Sequence, residues 1–329
     1  MNVSPKSFES ILPGALTGNR LAFVVLHYGD AAHTRRCIES LYAANAADAA
    51  VILVDNGTRE PELSGMESCF PGLRVIRLPE NQGWAGGNNA GVRAALAVGA
   101  QTVCLLNNDT VVPGGADALA GLGARFLETG PCLLQPRISY MDEAKGEQID
   151  PASWPWAKAV SENFYELNFA YGACLLVHAE IFTRIGLFDE RFFLQLEETD
   201  FYQRAAKQGY KLYCDTSVQV RHVESAGFGH QMTPLKCYYM TRNTLLLLEK
   251  HRMLGKAGLN RLKGLYWRLR REQPGEATDK NLIGFLNWTM RGGGIAAGFR
   301  AGLKDYLLRR FGRGPKSLEG MRGASGQSD

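Results

Sequence analysis

The chain has 329 residues, 45% hydrophobic and 21% charged, with 37 Lys and Arg against 33 Asp and Glu for a formal charge of +4. That balance argues against a mostly disordered chain, and the length suffices for one large or two modest cores. No apolar run approaches the roughly 18–20 residues of a membrane-spanning helix, and the opening MNVSPKSFESILPG lacks the basic start and apolar stretch of a signal peptide.

Leu21–Tyr28 (LAFVVLHY) is a short unbroken apolar run, the mark of a fully buried parallel strand. Ala31–Ala44 follows, with Cys37, Ile38, Leu41 and Tyr42 at helical spacing. A second strand, Val51–Val54, ends in the turn sequence Asp55-Asn56-Gly57. A third, Leu73–Leu78, leads into Pro-Glu-Asn-Gln-Gly and then a helix over Asn88–Val98. A fourth, Thr102–Leu106, ends in Asn107-Asn108-Asp109. Strands alternating with helical stretches predict βαβ units, hence an α/β fold with a mostly parallel sheet and helices on both faces. Ligands of such sheets sit beyond the carboxyl ends of the strands. The polar clusters His27-Tyr28, Asp55-Asn56, Asn81–Asn89 and Asn107–Asp109 all fall at those ends, where a binding site explains them and core packing does not.

Farther along, strand-like runs at Ala173–Val177, Lys211–Cys214 and Val218–Arg221 surround a helix from Glu198 to Gln208. Beyond His251 come basic helical stretches, Gly264–Arg271 and Phe299–Phe311, and a Gly/Ser-rich tail from Gly312 that reads as disordered. Residues 250–329 hold 17 Lys and Arg and 6 Asp and Glu, a net of +11, which leaves −7 for residues 1–249. Seven cysteines without a CxxC pair argue against a disulfide framework or zinc knuckle and fit reduced thiols in a cytosol.

Four features carry chemistry. Asp109, at a strand end facing an open crevice, can hold one face of Mg2+ or Mn2+ whose other ligands are water and substrate phosphates; as a turn residue it needs no ligand. The glycine-rich NQGWAGGNNAG (81–91) can bring backbone close to an anion at a helix start, though it lacks the GxGxxG order of a dinucleotide fingerprint. Glu197, Glu198 and Asp200 crowd three carboxylates at a helix start, either complementing its dipole or supplying a general base. His222 lies at a strand end, structural unless it faces Asp109.

These segments taken in order resemble the family 2 glycosyltransferases of GT-A fold, and within them the bacterial rhamnosyltransferase-like branch. The matching motifs are VVLHY, VDNGT, NQGWAGGNNAG, LLNNDT, YGACLLV, IGLFDERFFLQLEETD and YYMTRN (238–243), spread from about Leu21 to His251. The resemblance implies a nucleotide-sugar-binding domain over 21–250 between an N-terminal extension, 1–20, and a basic helical extension, 251–311, with the disordered tail 312–329. It places Tyr28 near the nucleotide base, Asp55 on the pyrimidine ring, and Asn81, Gly83 and Asn88 near the nucleotide sugar. Asn107-Asn108-Asp109 stands for the family's DxD motif, with only its last acid kept, and His222 matches a further metal ligand. Glu198 occupies the position of the catalytic base, with Glu197 and Asp200 in support and Arg242 steadying diphosphate or acceptor, or packing a helix.

The implied reaction is inverting transfer of a rhamnose-like sugar from a nucleoside diphosphate donor to a glycan or lipid-linked acceptor in cell-surface polysaccharide synthesis. The resemblance favours dTDP-rhamnose over UDP- or GDP-sugars, and Mg2+ or Mn2+ as cofactor. The acceptor is expected between Ser139 and Phe169, with Trp154-Pro155-Trp156, and around Ala226–Pro234. The location implied is cytoplasmic, with peripheral contact between the basic helices and an anionic inner-membrane face as one option and solvated helix faces as the other. An NAD(P) oxidoreductase is disfavoured by the missing fingerprint, while a sugar nucleotidyltransferase and a non-catalytic protein binding through the basic region stand as alternatives. No nucleic-acid-binding motif is present, so nucleic acid is not an expected partner.

Overall fold

A computed structural model of the chain describes residues 21–43, 49–58, 63, 65–123, 125–142, 147–154, 157–223, 232–253, 255–272 and 282–319. Two compact units divide them, one of residues up to 189 with 198–227, the other of 190–197 with 228 onward.

The first unit opens with the buried strand β1 (Leu21–His27), the helix α1 (Ala31–Tyr42) and β2 (Ala50–Asp55). Then come the one-turn α2 (Met66–Cys69), β3 (Arg74–Arg77), α3 (Gly83–Ala97) and β4 (Thr102–Asn107). Next are β5 (Thr110–Val111), α4 (Gly115–Leu122), α5 (Arg125–Thr129), β6 (Leu133–Tyr140), β7 (Glu147–Ile149), β8 (Lys158–Ser161) and β9 (Phe164–Leu167). The unit closes with β10 (Cys174–His178), α6 (Ala179–Ile185), α7 (Glu197–Lys207) and β11 (Leu212–His222). One sheet runs β3-β2-β1-β4-β10-β6-β11-β9-β8, with β5 on β11 and β7 on β6. The parallel part expected from the first half of the sequence is β3-β2-β1-β4; beyond it β10 runs antiparallel to β4 and β6, and the sheet is mixed.

Residues of β1 and β2 are buried over their whole length, and those of β4 up to Asn107. Register sets His27 beside Asp55 and Leu26 beside Asn107, so the polar ends of three neighbouring strands form one edge. The helix α1 begins where the Asp30 carboxylate accepts from Ala32 N at 2.8 Å, and it buries Ala31, Thr34, Cys37, Ile38 and Leu41 at helical spacing. Helix α3 starts five residues ahead of the expected Asn88, because Gly83 takes φ +72° and Asn81 Oδ1 accepts its N–H at 2.7 Å. Two of its glycines serve packing. A Cβ on Gly87 would strike Leu26, and one on Gly91 would strike Val24 and Val54, so these glycines let α3 lie directly on β1 and β2.

Lys211–Cys214 and Val218–Arg221, expected as two strands, are one strand, β11, with a bulge between Asp215 and Gln219. The Asp215 carboxylate makes the bulge, accepting from Ser217 N and Oγ through Oδ1 and from Arg125 Nε through Oδ2 at 2.8 Å.

The second unit holds α8 (Pro234–His251), α9 (Lys256–Glu272), α10 (Leu282–Arg291) and α11 (Ile295–Leu307). Helix α8, grouped by sequence with the sheet, belongs here. Gly298 and Gly302, one turn apart on α11, lie where a Cβ would meet the backbone of Pro234 and Tyr238, so the two helices pack closely. The tail expected to be disordered from Gly312 has structure over 312–319: Gly314 N donates to the Tyr239 hydroxyl at 2.8 Å and Leu318 is buried beside Tyr238 and Tyr239. Residues 320–329 lie outside the described residues, as do 1–20, Pro155-Trp156 and 224–231. Among the described residues no helix is long and apolar enough to cross a membrane, and all seven cysteines are free.

Gly91→Ala is expected to cost about 1–3 kcal/mol by overpacking the α3–sheet contact. Gly121→Ala, on α4 with open space around it, should be neutral or stabilising by up to about 1 kcal/mol. Denaturant unfolding of both variants checks the contrast.

Candidate active site

Four groups of side chains converge at the carboxyl edge of β2, β1 and β4. The Asn56 carboxamide is the first: its Nδ2 donates to Asn81 Oδ1 at 3.1 Å and Gly83 O at 3.0 Å, while its Oδ1 accepts from Gln82 N at 2.9 Å. This one side chain fixes the loop that starts α3. Gly57, at φ +79°, packs so closely on Glu80 and Asn81 that no side chain fits there. Neighbouring Asp55 is buried, and its Oδ1 accepts from Thr58 N at 3.0 Å and Thr58 Oγ1 at 2.7 Å.

Thr34 ties α1 to two strand ends, its Oγ1 lying 2.6 Å from His27 Nδ1 and accepting from Asn108 Nδ2 at 2.9 Å. Burial pulls the His27 pKa below its ordinary value against the upward pull of Asp55 and Asp30. His27 Nε2 and Asn88 Oδ1, both buried, have no hydrogen-bond partner. Tyr28, directly after β1, is 45% exposed.

Trp84 forms the third group. Its Nε1 donates to Asn107 Oδ1 at 3.0 Å, and its ring meets Phe188 edge-on at 5.0 Å. Phe188 is held from behind by Asn89, whose side chain exchanges two hydrogen bonds with its backbone, and its ring lies 4.6 Å from Phe201 of α7. The paired Asn88-Asn89 therefore splits into one structural residue, Asn89, and one with an unmatched oxygen, Asn88.

Asp109 and His222 are the fourth. Strand β5 pairs with the end of β11, Thr110 against His222, which sets Asp109 Oδ1 3.2 Å from His222 Nε2, both side chains nearly buried. Sequence had made a role for His222 conditional on its facing Asp109, and it does. Among the described residues no three His, Cys, Asp or Glu side chains gather around a common point. This carboxylate–imidazole pair is nonetheless a donor set that suits Mg2+ or Mn2+ when phosphate oxygens and water complete the shell.

Of the three acids at the start of α7, Asp200 is fully buried and bonded to Arg204 Nε at 2.9 Å, while Arg204 also donates to the Ile185 and Leu187 carbonyls at 2.7 Å. It is structural. Glu197 is buried and Glu198 half-buried. The segment before them carries three non-glycine residues at positive φ, Phe193, Gln195 and Leu196, at +62°, +70° and +72°.

Arg242 corrects an expectation. It is fully buried and spends all five N–H donors: on Asn243 Oδ1, the Tyr238 hydroxyl, and the Gly312, Arg191 and Phe192 carbonyls. No donor is left for a diphosphate. Asn243 Nδ2 reaches the carbonyls of Phe192, Leu194 and Gln195 at 2.7–2.9 Å. Together they hold the strained 191–196 segment, which is the helix-packing alternative in a more specific form. Thr34, Trp84 and Arg204 are not singled out by sequence; Asn56 is read there only within the Asp55-Asn56 cluster and Asn243 only within the YYMTRN motif, neither with the backbone contacts it makes.

Residues 22–186 match the family model described as Glycosyl transferase family 2. The chain is 23% identical over 260 residues, 70% of its length and 85% of the relative's, to N-acetylglucosaminyl-diphospho-decaprenol L-rhamnosyltransferase of Mycobacterium tuberculosis. A mannosyltransferase of Pyrobaculum calidifontis, solved with GDP-Man and Mn2+, superposes with a TM-score of 0.56 at 14% identity, covering 93% of each chain. A structure of GalNAc-T7 with UDP, GalNAc and Mn2+ gives a TM-score of 0.58 at 15% identity over 89% of this chain and 55% of the other. The architecture they share with this chain is the GT-A fold.

Asn243→Ala, which strips the donor from three carbonyls of the 191–196 segment, is expected to cost about 2 kcal/mol or more. Urea unfolding together with proteolysis within that segment measures it.

Proposed function

The chain belongs to glycosyl transferase family 2, and from that membership we propose that it moves a rhamnose-like sugar from a nucleoside diphosphate donor to a hydroxyl of a lipid-linked glycan, inverting the anomeric centre. The observation that carries this reading is the Asp109–His222 pair at the strand edge, 3.2 Å apart. The rhamnosyl group and the lipid-linked acceptor are supported by the name of the mycobacterial relative, and dTDP as the nucleotide, in preference to UDP or GDP, by that of a dTDP-rhamnosyl transferase of Shigella flexneri.

In this reading Tyr28 stacks on the nucleotide base, and Asp55, oriented by Thr58, accepts from the pyrimidine ring. Asn81 and Gly83, held by Asn56, and Asn88, with its unmatched Oδ1, approach the nucleotide sugar. Asp109 and His222 would hold the divalent ion. When bound, that ion supplies positive charge against the leaving diphosphate.

Glu198 accepts the proton of the acceptor hydroxyl on a carboxylate oxygen as the acceptor oxygen bonds to the anomeric carbon. The bond from that carbon to the diphosphate breaks, and the nucleoside diphosphate departs from the opposite face. Glu197 is buried beside the base, and Asp200 acts through Arg204 to set the first turns of α7. Arg242 acts at one remove, by holding the backbone that leads into Glu197.

Glu198→Gln should lower kcat by about 100-fold or more with donor affinity retained. The measurement is transfer and hydrolysis with dTDP-rhamnose, a UDP-hexose and GDP-mannose in the presence of a divalent metal. Normal transfer by the Gln variant would remove the base assignment. Failure to hydrolyse or bind any of the donors would remove the proposed function.

A further inference from the structure

The second unit carries most of the large apolar side chains that the protein leaves in water. Of twelve such residues among those described, ten lie between Leu259 and Leu308; only Tyr28 and Val160 lie elsewhere. Monomeric proteins scatter such residues singly, and their concentration in one unit marks an interaction surface.

The spacing shows how they are arranged. Helix α10 turns Phe285 and Thr289 inward and leaves Leu282, Ile283, Leu286 and Met290 along one outward strip, exposed by 52–72%. Helix α9 buries Gly258, Leu265 and Leu269, and its flank carries Leu259, Leu262 and the 58% exposed Trp267 at helical spacing. Interleaved with these on the same flank are Lys256, Lys263 and Arg270. The two helices touch, since the Tyr266 and Phe285 rings lie 4.8 Å apart within a cluster that also includes Leu265 and Leu269. The Arg270 guanidinium lies over the Tyr266 and Trp267 rings and donates to the Tyr266 hydroxyl, so its charge sits against the aromatic surface.

We propose that α9 and α10 form a docking surface for an anionic lipid bilayer. The commitment to lipid over a protein partner rests on charge. Residues 250–329 carry a net +11 while the rest of the chain is at −7. A second copy would set two such basic regions against each other, whereas anionic lipid head groups complement them. Apolar side chains projecting beside Lys and Arg, with a Trp among them, match the interfacial position of a helix lying in the plane of a membrane. No described helix is apolar enough to span one, so the contact is peripheral. The inference does not rest on the glycosyl transfer reading, because lipid binding requires no turnover.

Flotation of the full chain with vesicles tests it. Binding is expected to phosphatidylcholine vesicles containing phosphatidylglycerol and to fall with added salt, with little binding to phosphatidylcholine alone. The double variant Leu286→Glu, Met290→Glu should reduce the bound fraction about tenfold or more. Lys256→Gln with Lys263→Gln should weaken binding and flatten its salt dependence. Circular dichroism and donor hydrolysis should stay at wild-type levels in both variants, since none of these residues lies in the proposed site. Equal binding to neutral and anionic vesicles, or wild-type binding by the Glu double variant, would overturn the proposal. So would absence of vesicle binding accompanied by concentration-dependent dimerisation that the Glu double variant abolishes, which would assign the surface to a second copy.

Discussion

Strands β1 and β2 are buried from end to end, and β4 up to Asn107, and that constraint organises the rest of the first unit. A fully buried strand tolerates polar side chains only at its ends, and a buried polar group left unpaired costs about 1–3 kcal/mol. The polar residues are therefore crowded onto one edge, and most of them satisfy one another there. Asn56 bonds the start of α3, Thr34 bonds both His27 and Asn108, and Trp84 bonds Asn107. The glycines of α3 serve the same constraint from the other side. By letting the helix touch the sheet they bring its amino end to the edge. Two buried atoms of this network, His27 Nε2 and Asn88 Oδ1, are left unmatched.

The 191–196 segment of the second unit has a framework of its own. Three consecutive-region residues at positive φ cost free energy locally, and that conformation is held by Asn243 and Arg242, buried on α8 and saturated with carbonyl partners. A pair that looks like substrate-binding chemistry in one dimension is thus a backbone clamp in three. Asp200 makes the same point. Its carboxylate serves Arg204, which in turn serves two carbonyls near the end of α6, leaving Glu198 as the half-buried acid of the trio.

The sequence was most readable where burial is two-sided and periodicity unambiguous. LAFVVLHY, the Val51 and Thr102 strands and α1 were located to within a residue or two, and the strand-end edge followed from them. It was least readable where tertiary contacts overrule local signals. The strands β6 to β9 are not evident in the sequence; Lys158–Ser161, for one, is exposed at every residue and has no alternation of its own. The two halves of β11 looked separate since the bulge at Asp215 interrupts the alternation. The 312–319 segment reads as a flexible tail by composition, yet Tyr239 and Arg242 anchor it. The meeting of Asp109 with His222, separated by more than a hundred residues, depends on the two-residue strand β5, which no sequence pattern announces.

In the proposed function that pair would seat a divalent ion that also binds the diphosphate of the donor. The most direct measurement is pulsed electron paramagnetic resonance of Mn2+ added to the protein with dTDP, read for nitrogen and phosphorus couplings. The expected result is a histidine nitrogen coupling together with phosphorus coupling, the nitrogen signal vanishing in His222→Gln while the phosphorus signal persists. Phosphorus coupling with no histidine nitrogen in the wild-type protein would contradict it.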